Sequence, residues 1–305
     1  MPVDPGVPAL WAFAERGVEP ALAAAGVPAP LGDVAVLRHH PGRRCTLGVT
    51  AAGRRLIAKA YRGDVGVLAG VLALLGEHGL ASGRAPTAPP LVAVDSALHL
   101  VVTERLEGTS GPALITAGAR LGELAARWLE LQWSVPPPAG EQYGPAKALR
   151  RAAREALAVG EASSRLGARA ASLVRRLGQR APAERPPALI HGSFSVNHVL
   201  DLGDGPGIID WDSSSPGQRE VDAATFLATL ARVAGSDDAL IAPAARAEAA
   251  MRARLADLLE PDALSWYEVA ALLTNVRHLC VMRRAGWESR CHGLLGAAEA
   301  LVEGR

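Results

Sequence analysis

Apolar and polar residues alternate through the first third of the chain, and that period marks strands. Runs at 34–40 (VAVLRHH), 45–51 (CTLGVTA) and 54–62 (RRLIAKAYR) are separated by the turn Pro41-Gly42-Arg43-Arg44 and by Gly53. Two further runs, 91–94 (LVAV) and 98–106 (LHLVVTERL), read as strands as well. Apolar residues at helical spacing predict helices over 8–25, closed by Gly26-Val27-Pro28, and over 65–80. The first third is therefore expected to be a mostly antiparallel sheet with one helix inserted after the third strand. Lys59 falls inside that third strand.

The pattern changes near Gly108. A 3.6-residue period predicts helices over 112–134 and 145–179, with a Pro-rich break from Val135 to Gly140. Two short apolar runs, 187–192 (PALIHG) and 205–211 (GPGIIDW), bracket the segment SFSVNHVLDLGD. Helices are then predicted over 220–234, 238–258, 262–285 and 289–303. The class is α+β, divided into a sheet-rich lobe at 1–106 and a helical lobe at 107–305.

A composition of 49% hydrophobic and 21% charged residues is that of a folded globular chain. The net charge of +1 gives no electrostatic reason to expect nucleic acid or an anionic membrane as a partner. The first 20 residues do not read as a signal peptide, and without an apolar run of about 18 residues no transmembrane helix is expected. Three scattered cysteines, Cys45, Cys280 and Cys291, read as thiols in a reducing compartment, so a cytoplasmic location is expected. Among 32 basic residues only Lys59 and Lys147 are lysine. A coding bias toward arginine accounts for most of that. A lysine kept in an apolar strand points to a need for a compact charge.

A strand lysine, a His-containing loop and an apolar strand ending in Asp210 follow one another in the order that phosphoryl transfer from ATP requires. The lysine neutralises phosphates, the loop supplies a base and a metal ligand, and the carboxylate holds a bridging divalent ion. Residues 189–230 (LIHGSFSVNHVLDLGDGPGIIDWDSSSPGQREVDAATFLATL) resemble the catalytic core of the aminoglycoside phosphotransferase family, which has a protein-kinase-like, two-lobed fold and includes antibiotic, choline and homoserine kinases. The resemblance implies that Lys59 contacts the phosphates and that the backbone of Glu104, Arg105 and Leu106 meets adenine. It implies that His191 braces the loop, Asp210 holds Mg2+ or Mn2+, and Asp222 ties the helical lobe to the loop. Glu77 is the candidate ion-pair partner of Lys59, and Arg43 and Arg44 lie in the turn that would cover the phosphates.

Two positions depart from the family. Ser193 stands where the family has its catalytic aspartate, and His198 where it has Asn or Gln. A serine hydroxyl is no general base near neutral pH, and losing a positioned base costs about 10²–10⁴ in rate. Imidazole suits Mn2+ or Zn2+ better than Mg2+, so His198 is a candidate ligand or proton acceptor, and Asp212 a second candidate base or ligand. His39, His40, Arg277, His278, Arg283 and Arg284 are expected to be solvated. The resulting expectation is an ATP-dependent phosphotransferase acting on a hydroxyl of a small molecule or of Ser/Thr in a peptide. A role in bacterial natural-product biosynthesis beside a partner enzyme fits that expectation. The alternative is a pseudokinase that binds nucleotide or a partner without chemistry. Antibiotic inactivation fits less well, because the second lobe is not markedly acidic.

Overall fold

The computed structural model describes residues 1–304. The chain opens with helices α1 (Pro8–Arg16) and α2 (Val18–Ala24), then strands β1 (Leu31–His40), β2 (Arg44–Ala51) and β3 (Arg54–Tyr61). Helix α3 (Gly66–Glu77) precedes β4 (Leu91–Asp95), β5 (Leu100–Glu104) and β6 (Thr109–Ser110). Next come α4 (Gly111–Leu114), α5 (Gly118–Gln132), α6 (Pro145–Ala162) and α7 (Ser164–Gln179). Short strands β7 (Ala188–Ile190), β8 (Val199–Asp201), β9 (Pro206–Ile208) and β10 (Ser215–Gly217) lead to α8 (Glu220–Ala234), α9 (Ile241–Leu255), α10 (Pro261–Met282) and α11 (Trp287–Glu303).

Contacts divide the chain into two units, 1–108 with 202–209, and 109–201 with 210–305. In the first, five strands form an antiparallel sheet in the order β1-β2-β3-β5-β4. Alternation sends Leu56, Ala58 and Ala60 into a core with Leu47, Leu100, Leu10, Phe13 and Leu22, so α1 and α2 cover that face. Lys59 is on the opposite face, paired in register with Thr46 and Val101. Residues 202–209, expected in the helical lobe, belong to the sheet unit. There the Thr87 N–H donates to Pro206 O at 3.0 Å, and the Ile208 N–H to Thr87 O at 2.9 Å.

In the second unit α10 packs against α6, α8 and α11, and α5 against α9. Strand β7 pairs antiparallel with β10, and β6 with β8. Two helices expected to be continuous are broken. Gly17, at φ 88°, separates α1 from α2, a conformation that glycine adopts without steric cost. Ser163 is extended between α6 and α7, and its Oγ accepts from the Leu166 N–H, which caps the new helix. The region 112–134 likewise splits into α4, a 3₁₀ turn and α5, and the 238–258 segment starts with a 3₁₀ turn at Asp238–Leu240. All three cysteines are buried and form no disulfide. No helix among the described residues is long and apolar enough to cross a membrane.

Candidate active site

The loop after β7 is built around one carboxylate. Asp222, fully buried in the first turn of α8, accepts the His191 N–H on Oδ2 at 2.6 Å and the Gly192 N–H on Oδ1 at 2.9 Å. The Gln132 side-chain amide donates to the same Oδ2 at 2.8 Å and to Leu189 O at 3.0 Å. Gln132 is fixed in turn by Trp128, whose Nε1–H donates to its Oε1 at 2.7 Å. Burial pushes the Asp222 carboxyl up to about 6, while hydrogen bonds from Gln132 and from the backbone of His191, Gly192 and Phe194 pull the other way. Gly192 has φ +76°, and a Cβ there would lie 2.2 Å from Ser213 O. Only glycine lets the loop pass so close to the following segment.

On this anchored loop, Ser193 Oγ lies 3.3 Å from His191 Nδ1. The His191 ring is buried, tilted against Trp211 at 4.8 Å between centroids and stacked on His198 at 5.1 Å. His198 Nε2 lies 3.4 Å from Asp210 Oδ2. Asp210 takes φ +71°, a conformation that Asp tolerates better than most residues and one often seen at functional positions. Asp212 lies in the turn closed by the Ser214 N–H to Trp211 O bond of 3.1 Å. The structure thus brings His191, Ser193, His198, Asp210 and Asp222 together.

His198 and Asp210, in contact with each other, are the candidate ligands for a divalent ion. No three His, Cys, Asp or Glu side chains gather as a metal-binding group among the described residues. An ion such as Mg2+ or Mn2+ needs no such group, since it takes one or two protein carboxylates and completes its shell with phosphate oxygens and water.

The sheet unit modifies several expectations. Glu77 is the last residue of α3, is exposed, and forms no ion pair among the described residues, so the structure does not supply it as a partner for Lys59. Helix α3 is apolar along its length, and its single acid falls at the end. In the segment expected to meet adenine, the Glu104 N–H donates to Pro90 O and the Arg105 N–H to Arg55 O, both at 2.9 Å. The Glu104 carboxylate pairs with Arg54. Those bonds leave the Leu106 N–H as the donor available to a base. The turn with Arg43 and Arg44 is tied down by a residue that sequence reasoning missed. Asp4 Oδ2 accepts from the Gly42 N–H at 2.7 Å and lies 2.9 Å from His39 Nε2. The Gly42 hydrogen bond, followed by that of His39, holds the Asp4 carboxyl below its usual range. A carboxylate on the Gly42 amide removes the donor that a phosphate-covering turn would offer, which leaves the Arg43 and Arg44 side chains as its only possible contribution.

The phosphotransferase enzyme family matches residues 46–259. That span holds Lys59, the anchored loop, Asp210 and Asp222. The chain belongs to the phosphotransferase enzyme family. No curated protein matches it by sequence. Solved structures share its protein-kinase-like α+β fold. A thermostable mutant of the aminoglycoside phosphotransferase APH(4)-Ia, in ternary complex with ADP and hygromycin B, is 15% identical with a TM-score of 0.63, covering 94% of this chain and 98% of that one. Amicoumacin kinase hAmiN in complex with AMP-PNP, Ca2+ and Ami is 12% identical with a TM-score of 0.59, covering 96% of each chain. A choline/ethanolamine kinase family protein from Mesorhizobium loti is 17% identical with a TM-score of 0.57, covering 96% of this chain and 94% of that one. At these identities the likeness carries the fold of this phosphotransferase and not its acceptor.

Proposed function

We propose that this phosphotransferase moves the γ-phosphoryl group of ATP, with Mg2+ or Mn2+, to a hydroxyl of a small molecule. The observation that carries the reading is the anchored loop, with Ser193 beside His191 and His198 held against Asp210. Nucleotides in the neighbouring structures, ADP in one and AMP-PNP with Ca2+ in another, support ATP and a divalent ion as cofactors. Lys59 would offset phosphate charge, the Leu106 N–H would meet the base, and Asp210 with His198 would hold the ion. The ion supplies charge neutralisation on the transferring group, which dominates catalysis when the transition state is loose.

Ser193 positions the acceptor hydroxyl without deprotonating it. The proton passes to Asp212 or to water, or to His198 where that imidazole does not hold the ion, and turnover is slower than with a carboxylate at 193 by about 10²–10⁴. The same serine favours a second reading, a pseudokinase that binds nucleotide without chemistry. Steady-state ATP turnover by wild type and Ser193→Asp separates the readings. A large gain in the variant means that the native loop lacks a base. Native turnover with no gain places the base elsewhere, and Asp212→Asn and His198→Ala then locate it. Nucleotide binding with no turnover in either protein leaves the pseudokinase.

A further inference from the structure

A cavity of about 210 Å³ opens beside the loop, entirely inside the helical unit. Gly192, Ser193, Ser195 and Ser213 form one side, and Tyr143 with residues of α6, α8 and α10 forms the rest. It is smaller than the roughly 300–1,000 Å³ of sites for drug-sized ligands, so it suits a compact molecule. No Asp or Glu lines it, and Arg151 is the one charged lining residue. Tyr143, Thr225, Thr274 and Asn275 add hydroxyl and amide groups, against an apolar surface that includes Val221 and Ala271.

Behind that wall the charge is also positive. Asn275 Oδ1 accepts from Arg232 Nε at 3.1 Å, and Arg232 makes no ion pair among the described residues. The Arg290 guanidinium donates to Arg232 O at 3.3 Å. Burial first, then the charge of Arg290, pushes the Arg232 pKa down, and Arg232, Arg277, Arg284 and Arg290 do the same to His278 after burial. The compensating acid is Glu155, which is shared: Arg151 Nε lies 3.6 Å from it and Arg277 Nε 3.5 Å. At the other end of the cavity Glu184 and Glu220 approach Tyr267, but Glu220 is already paired with Arg185. Sequence reasoning left Arg277 and His278 as a solvated basic face. The partly buried Arg232 and Arg290, on other helices, turn that face into a basic wall. Arginine retains its charge when buried, so such a wall is stabilised by an anion and repels a cation.

We infer that this cavity receives the acceptor, and that the acceptor is a compact hydroxyl compound carrying a carboxylate or phosphate group, held by Arg151 in front of the Arg232–Asn275 pair. The inference rests on the phosphotransferase reading of the loop. A cationic acceptor, as in an aminoglycoside or choline, would meet the like charge of Arg151 and no carboxylate in the lining.

Calorimetric titration of the full chain with ATP and Mn2+ tests it. The probes are glycerate and glycerol 3-phosphate as anions, and choline and kanamycin as cations. The inference expects either anion to bind at millimolar concentration or better, with neither cation binding, and Arg151→Gln to weaken anion binding by about tenfold or more. ATP affinity and melting temperature should stay unchanged in that variant, because the Arg151 side chain is partly exposed and only loosely paired. Comparing carboxylate with phosphate ranks the two anionic groups. Preference for a cation, failure of both anions to bind, or unchanged anion binding in Arg151→Gln overturns the inference. Titrating ATP alone keeps the two readings apart. ATP binding without anion preference removes only the acceptor assignment, whereas anion binding without ATP binding removes the phosphotransferase assignment.

Discussion

Gly192→Ala probes the packing that the whole site depends on. The added Cβ would stand 2.2 Å from Ser213 O and 3.0 Å from Ser213 C, both backbone atoms. Ordinary carbon–oxygen contacts begin near 3.3 Å, so one segment must retreat by about 1 Å. The backbone at φ +76° adds a cost of its own, about 1 kcal/mol for a residue with a Cβ. Overpacking against a rigid neighbour adds about 1–3 kcal/mol. The sum is about 3 kcal/mol, or a fall in melting temperature of roughly 6–12 °C for a domain of this size. Differential scanning calorimetry reads the stability. The same displacement moves Ser193, and a misplacement of about 1 Å costs on the order of 100-fold in rate, which ATP turnover reads. A variant that melts within about 1 °C of wild type and turns over normally would refute the packing argument.

Three further outcomes follow from the Asp222 network and the loop it anchors. Gln132→Leu leaves the Trp128 N–H and Leu189 O without partners and removes one donor from Asp222, so it should cost about 2–4 kcal/mol in urea unfolding, and a cost below about 0.5 kcal/mol would contradict the network. Asp222 has a folded pKa of about 6, above the ordinary 3.8, so the folded chain keeps a proton that the unfolded chain releases across that window. Its contribution to stability is present below about pH 4 and is lost as pH rises through about 6, and Asp222→Ala should flatten that part of the stability profile; an unchanged slope counts against the assignment. Ser193→Asp should raise ATP turnover by up to about 10²–10⁴ where no other group serves as base.

Much of this architecture is legible where the period is local. The alternation of Leu47 with Val49, and of Leu56, Ala58 and Ala60, marks β2 and β3, and the run from Glu220 to Ala234 marks α8. The helix breaks at Gly17 and Ser163 are not, because a helical apolar period tolerates a single glycine or serine, and only the capped geometry shows where the chain turns. In the site, Asp210 is placed by the order of strand lysine, loop and strand-end carboxylate, and His191 and Asp222 by the resemblance of residues 189–230 to the family's catalytic core. Gln132 is not so placed, since it lies 57 and 90 residues from the groups it joins. The same holds for Asp4, 38 residues from the turn it pins, and for the basic wall, which Arg151, Arg232 and Arg290 build from three separate helices. Contacts made by tertiary folding leave no period in the sequence, and a polar residue at the end of an amphipathic helix, as Gln132 is in α5, gives no sign of its partner.

The central claim is a metal-dependent nucleotide site that uses Asp210, and ligand-induced stabilisation tests it most directly. Melting curves would be recorded for wild type and Asp210→Asn with and without ATP, each with Mg2+ or Mn2+. At about 100 times Kd a ligand adds roughly 2.7 kcal/mol, which raises the melting temperature of wild type by several degrees. The account predicts that this shift requires the ion and disappears in Asp210→Asn. A shift that survives in the variant would remove Asp210 from the site, and the absence of any shift with either ion would contradict nucleotide binding by this chain.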